Sequence, residues 1–135
     1  MQEGWTDDDD YLMVFDEAES DSATAAYGLG KHLPGHVLIA ILGWDDFVVR
    51  NESGELFRIP TVPLVPQYME KHAPLPDAAG LEPDERFTGK IKWYVKPIVF
   101  GGDPGAEDNT IWVDLTTHQE LVCWWNKLYQ DVACE

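Results

Sequence analysis

Positive charge is what this chain has least of. Nine Lys and Arg stand against 25 Asp and Glu, a formal net charge of −16 with a pI near 4.3. A field of that sign repels nucleic acid and anionic membrane, both polyanions, and attracts basic proteins and cations. Cysteine is almost missing: only Cys123 and Cys134 occur. They fall in what reads as one helix, with α-carbons about 16 Å apart, too far for a disulfide. Two free thiols fit a reducing compartment. No apolar run approaches the length that spans a bilayer. No basic start followed by an apolar stretch marks a secretory leader, so the expected location is the cytoplasm.

Chemical motifs are equally scarce. The two cysteines make no Cys-x-x-Cys pair, and of the histidines (His32, His36, His72 and His118) His32 and His36 alone stand four apart, with no cysteine near them. No serine sits in a nucleophile elbow. The glycine pair Gly28 and Gly30 lacks the third glycine and the βαβ setting of a dinucleotide fingerprint. The loop "GGDPGAEDN" (101–109) has glycines but no lysine, and it is too acidic to cradle phosphate. His118 falls in the first turn of a helix and reads as a surface residue. Cys123, between Val122 and Trp124, reads as a buried inert thiol. These readings point away from an enzyme, a cofactor and a metal site.

What is present is a foldable core. The 135 residues are 44% hydrophobic and 12% aromatic, with six tryptophans, which suits one compact domain and argues against disorder of the whole chain. The acids are uneven. Nine lie between Met1 and Ser22, with no Lys or Arg among them, so this stretch carries more than half of the net charge. The run Asp7, Asp8, Asp9, Asp10 cannot hold one ion as a shaped loop does, because consecutive side chains of an extended segment point in opposite directions. Residues 1–10 read as an acidic segment, a flexible solvated tail or part of a docking surface, preceding a single domain at 11–135.

The clearest local signals are β. "YLMVF" (11–15) is a short buried or edge strand. Val37–Leu42 and Asp46–Arg50 are strand-like, "NESG" is a turn, and "ELFRI" alternates, with Leu56 and Arg58 on one face and Phe57 and Ile59 on the other. This predicts an antiparallel meander. "DSATAAYGLG" (21–30) reads as one or two helical turns or a loop. The proline-rich segment 60–89 predicts a short helix at Gln67–His72, and otherwise ordered loop with a recognition role. "KIKWYVK" (90–96) alternates Ile91, Trp93 and Val95 against Lys90, Lys92, Tyr94 and Lys96, and "TIWVDL" follows as a second strand.

The C-terminus predicts a helix, opened by a capping box of Thr117 and Glu120. Its apolar stripe would be Leu121, Trp124, Trp125, Leu128 and Val132, burying two indoles against the sheet. The expected fold is therefore α+β, a mostly antiparallel sheet packed against a C-terminal amphipathic helix. The segment "GWDDF" offers Trp44, Asp45 and Asp46 between two strands. It is either an aromatic anchor flanked by carboxylates, fit for a basic partner surface, or a core tryptophan beside a solvated turn. Trp44, Asp45, Asp46 and Asp7 to Asp10 are the candidate partner-binding residues.

The stretch 27–64, "YGLGKHLPGHVLIAILGWDDFVVRNESGELFRIPTVPL", resembles the central meander of SMI1/KNR4-like (SUKH superfamily) proteins. Leu33, Pro34, Gly35, Gly43, Gly54 and Pro63 carry the likeness. The ending "IWVDLTTHQELVCWWNKLY" is similar to the terminal strand and helix of small bacterial immunity-type proteins. The chain departs from that family at its N-terminus, where an amphipathic helical segment is replaced by a short acidic one. The resemblance implies a cytoplasmic α+β binding module, an immunity protein that neutralises a basic, nucleic-acid-targeting bacterial toxin by occluding its active site. Two other readings compete: a DNA-mimicking decoy for nucleic-acid enzymes and a structural adaptor. A decoy would spread its carboxylates evenly, and the lysines of 90–96, a third of all Lys and Arg, weigh against it.

Overall fold

The computed structural model describes residues 2–6, 10–103 and 105–133, with side chains described as far as 131. Six strands form one antiparallel meander in which every neighbour in sequence is a neighbour in space: β1 (Gln2–Trp5), β2 (Tyr11–Val14), β3 (Val37–Leu42), β4 (Asp46–Arg50), β5 (Leu56–Pro60) and β6 (Glu70–His72). Strands β7 (Ile91–Tyr94) and β8 (Thr110–Val113) make a separate antiparallel pair. The helices are α1 (Glu17–Ala26), a short α2 (Leu29–His32) and α3 (Leu115–Ala133). The fold is α+β, with the antiparallel sheet and the C-terminal helix expected from the sequence.

The apolar runs of β2, β3 and β4 are continuous because both faces of the sheet are covered. On one face Tyr11, Met13, Leu38, Ile41, Phe47, Val49 and Ile59 meet Tyr27, Leu29 and Leu33 of the α1–α2 region, Trp93 of β7 and Val122 of α3. On the other, Leu12, Ala40, Leu42 and Val48 meet Leu81, Leu75 and Ala78. A register shift between Leu38 and Ala40 changes the parity of β3, so that these two residues, which a regular strand would turn to one face, enter opposite layers. The second layer assigns a job to the proline-rich segment: its 75–81 part is a cover for the sheet, held by few but fully placed apolar side chains.

Several expectations are corrected. Residues 2–5 are not a tail. They pair with β2 from Gln2↔Val14 to Trp5↔Tyr11, and the boundary expected at residue 10 falls inside that hairpin. Two contacts seat the strand. Gly4 approaches the backbone of Glu82 so closely that a Cβ there would lie 2.5 Å from its carbonyl carbon, and the Trp5 indole donates to Asp84 at 3.1 Å. Instead of a helix at 67–72, the chain makes a 3-10 turn at Pro66–Tyr68 and then strand β6, since proline at the first position suits a turn and the extended Met69 stops it. Val95, expected on the apolar face of its strand, lies past the end of β7 and is exposed.

α1 is capped by Asp16, whose side chain accepts from the Glu19 amide while Glu19 caps back. Its inner face is polar yet satisfied. The Ser20 hydroxyl donates to the Leu38 carbonyl, and Thr24 Oγ1 accepts from the Leu38 amide at 2.9 Å, fastening the helix to β3. α3 is capped by Asp114, not by Thr117: the Thr117 amide donates to the Asp114 side chain at 2.8 Å, and that bond holds the carboxyl below its usual range. The stripe of α3 is also rotated from expectation. His118, Val122 and Asn126, one helical turn apart, are the buried line, while Trp124 is 58% exposed and Trp125 only partly covered. His118 is thus a core residue at 0% exposure, corrected from a surface one.

Candidate functional site

The sheet end at the β3–β4 turn and the turn after β7 enclose a largely apolar groove. This groove measures about 310 Å3 and has three sides. Asp45 and Asp46 come from the start of β4. Pro60, Thr61, Val62, Pro63 and Tyr68 come from the exit of β5. Trp93, Tyr94, Pro97, Ile98 and Val99 come from β7 and the turn beyond. Tyr68, Ile98 and Val99 remain substantially exposed, as does Val95 beside them. These exposed apolar side chains are gathered around one concavity, the kind of surface that contact sites use.

Two of the sides are held by an asparagine side chain, one buried and one nearer the surface. Asn126 of α3 reaches under the 61–64 segment: its side-chain carbonyl accepts from the Leu64 amide at 2.7 Å, and its amide nitrogen donates to the Thr61 carbonyl at 2.8 Å and to Val122 at 2.9 Å. The 97–99 turn is tied by Asn109, whose side chain accepts from the Lys96 amide at 2.8 Å and donates to the Lys96 and Asp103 carbonyls at 3.0 and 3.2 Å. Behind the turn, Phe100 packs on Trp125 at 5.0 Å between ring centroids. Gly102 closes the loop against the Lys96 carbonyl, where a Cβ would lie only 1.8 Å from the oxygen. Gly102→Ala is therefore expected to push the 96–102 turn open, lowering stability by about 1–2 kcal/mol in urea titration and broadening the amide resonances of Ile98 and Val99.

The two carboxylates are not equivalent. Asp46 is taken: Arg58 on the neighbouring strand donates its Nε to Asp46 at 2.7 Å. Asp45 is held more loosely, by the Tyr94 hydroxyl at 3.3 Å and by Lys92 Nζ at 3.6 Å. Burial pushes its carboxyl above the usual aspartate range, with the adjacent Asp46 adding to the rise and Lys92 and Tyr94 opposing it. Asp45 is a half-buried carboxylate whose ion pair is longer than that of Asp46.

Trp44 plays a different part from the exposed anchor considered above. Its ring stacks on Tyr11 at 5.1 Å and meets Phe87, Trp112 and Trp5 edge-on at 5.3, 5.1 and 6.0 Å. It occupies φ +63 directly after Gly43 at φ +58, a twist that suits a tight hairpin but disfavours a bulky side chain. The aromatic cluster offsets that strain and in doing so fixes the backbone that presents Asp45. Asp10 lies at the same sheet end, since the Gly43 amide donates to the Tyr11 carbonyl at 2.8 Å, but it does not line the groove. Asp7, Asp8 and Asp9 lie outside the described residues.

The structure therefore brings Asp45 and Asp46 together with apolar residues that the sequence reading passed over. Tyr68, Ile98 and Val99 sit in turns, where no period of two or 3.6 exposes them. The available signal was composition: "PIVF" is a compact apolar run set between a proline and two glycines, where a solvated loop would be polar.

No family model matches the chain, and no match was found among curated proteins or solved structures.

Proposed function

We propose that this protein is an acidic protein-binding module and that the groove is where it grips its partner. The observation that carries the reading is an exposed apolar groove with a loosely paired carboxylate at its rim, on a chain of net charge −16. Such a surface divides the labour of binding. The apolar contacts bury area and set the dissociation rate, while the acidic field steers a basic partner and sets the association rate. The likeness of residues 27–64 to SMI1/KNR4-like proteins supports a finer reading. The chain acts as an immunity protein in the cytoplasm, and its partner is a basic toxin domain whose nucleic-acid-binding cleft it occludes. The apolar character of the groove disfavours a DNA-mimicking decoy, which would need charge at phosphate spacing there.

The test compares the wild-type chain with Val99→Glu as affinity baits at low and moderate salt, with bound proteins identified by mass spectrometry. Val99 is 40% exposed, so a charge there leaves the fold intact. The expected result is one basic protein retained at moderate salt by the wild type and reduced at least about tenfold on the variant. The purified partner's activity should fall to zero at one equivalent of this protein. Many nucleic-acid enzymes, all lost as salt rises and indifferent to Val99→Glu, would establish the decoy instead. A basic partner bound without loss of activity would establish an adaptor.

A further inference from the structure

The groove has one chemical asymmetry that narrows what it takes. Its walls are prolines, aliphatic side chains and aromatic rings, and of its two carboxylates Asp45 has the longer ion pair. Asp46 is matched by Arg58 at 2.7 Å, whereas the Asp45–Lys92 pair is open at 3.6 Å. Lys92 is held back in part by the rings beside it, its ammonium lying 5.1 Å from the centre of Tyr94 and 5.8 Å from that of Trp44. A cation brought in by a partner would meet a carboxylate already partly stripped of water, and Tyr94 would give a planar guanidinium a face to lie on.

Size points the same way. About 310 Å3 is at the small end of ligand sites and suits one large side chain with part of its neighbour, not a folded cofactor. The walls at Val62 and Pro63 and at Ile98 and Val99 can sandwich an apolar side chain along its length.

We propose that the groove recognises a two-residue element in a basic protein, a large apolar side chain seated between Val62 and Ile98 with an adjacent arginine whose guanidinium binds Asp45. This deepens the binding-module reading and rests on it. The arginine replaces Lys92 as the principal partner of Asp45, leaving Lys92 with the aromatic rings. Both halves contribute: an apolar residue alone leaves Asp45 with its long Lys92 pair, and an arginine alone leaves the apolar walls wet.

Short blocked dipeptides test this without a known partner. Acetyl-Trp-Arg-amide, its neutral isostere acetyl-Trp-citrulline-amide and acetyl-Ala-Arg-amide are titrated into the 15N-labelled chain to 10 mM, and amide shifts are followed. The Trp-Arg probe should move the amides of Asp45, Val62, Ile98 and Val99 with a dissociation constant of about 1 mM. The citrulline and Ala-Arg probes should bind about five- to tenfold more weakly. In Asp45→Asn, Trp-Arg and Trp-citrulline should bind alike, through the apolar half that remains. Equal binding of Trp-Arg and Trp-citrulline to the wild type would overturn the role of Asp45 and leave a site for neutral apolar ligands. Shifts outside the groove, or none at 10 mM, would overturn the site itself. A partner captured through Val99 while the dipeptides fail would sink this element and leave the binding module standing. Dipeptide binding with no basic protein captured would do the reverse.

Discussion

Asn126→Leu is expected to destabilise the protein by about 3–4 kcal/mol, read as a fall in the urea midpoint at unchanged slope. Asn126 is 1% exposed and is the only described link by hydrogen bonds between α3 and the 61–64 segment. Leucine matches the side chain in size, so no cavity opens. What changes is that the Leu64 amide and the Thr61 carbonyl lose their partners in a dry environment, and each such group costs about 1–3 kcal/mol. Asn126→Asp separates the two halves of the effect. Its carboxylate still accepts from Leu64, but it sets an oxygen against the Thr61 and Val122 carbonyls and buries a charge, so it should be at least as destabilising at neutral pH and recover part of the loss when the carboxyl is protonated. In both variants the groove loses the support under Thr61 to Leu64, so the Trp-Arg probe should bind more weakly even where the chain remains folded. A shift below about 0.5 kcal/mol in Asn126→Leu would mean that the 61–64 segment is held by its prolines and not by the helix.

That prediction marks where the sequence stops being legible. β3, β4 and β5 were readable because their cues are local: apolar runs of strand length, a turn at 51–54 and parity along 55–59. The existence of α3 was readable from its periodicity, but its buried face was not. A stripe chosen by hydrophobicity places Trp124 inward and treats His118 and Asn126 as surface, whereas the fold needs polar atoms at those positions to meet Tyr27 and the 61–64 backbone. Those partners lie 91 and 62 residues away, and no local rule links them. The candidate site was half legible. Asp45 and Asp46 stood out as carboxylates beside a tryptophan. The groove itself was hidden because its sides come from turns around residues 45, 62 and 98, whose meeting is a property of the β4–β5 and β7–β8 pairings. Trp44 illustrates the converse: its indole belongs to the aromatic cluster, and its contribution to the site is the backbone it holds.

Acid should begin to destabilise this protein before most of its carboxylates titrate, and His118 is the reason. The imidazole is fully buried beside Phe47 and Trp93, with one ring nitrogen bonded to the Tyr27 hydroxyl at 2.6 Å and the other without a partner. Burial drives its pKa down from 6.5 to about 3, so the folded chain holds it neutral while the unfolded chain takes up a proton near pH 6.5. The group is depressed in the folded state, so the stability it contributes is present in full above pH 6.5 and is lost as pH falls from 6.5 toward 3. The loss reaches about 2 kcal/mol by pH 5 and about 4 kcal/mol at pH 3. His32, also lowered by burial, adds to the loss. Asp45, raised by burial, opposes it, because the folded chain binds that proton more readily than the unfolded one. Asp84, held low by Arg86 and the Trp5 indole, and Asp114 add a second loss as pH falls through the usual aspartate range and below it. His118→Gln keeps a polar partner for Tyr27 and removes the titration. Its stability at pH 7.5 should fall modestly, and the decline between pH 7 and pH 5 should shrink by about 2 kcal/mol relative to wild type. Denaturant titrations at pH 7.5, 6, 5 and 4 measure both curves. Parallel curves would show that His118 takes its proton in the folded chain near its ordinary pKa, which would require the core around Tyr27 and Trp93 to open to water.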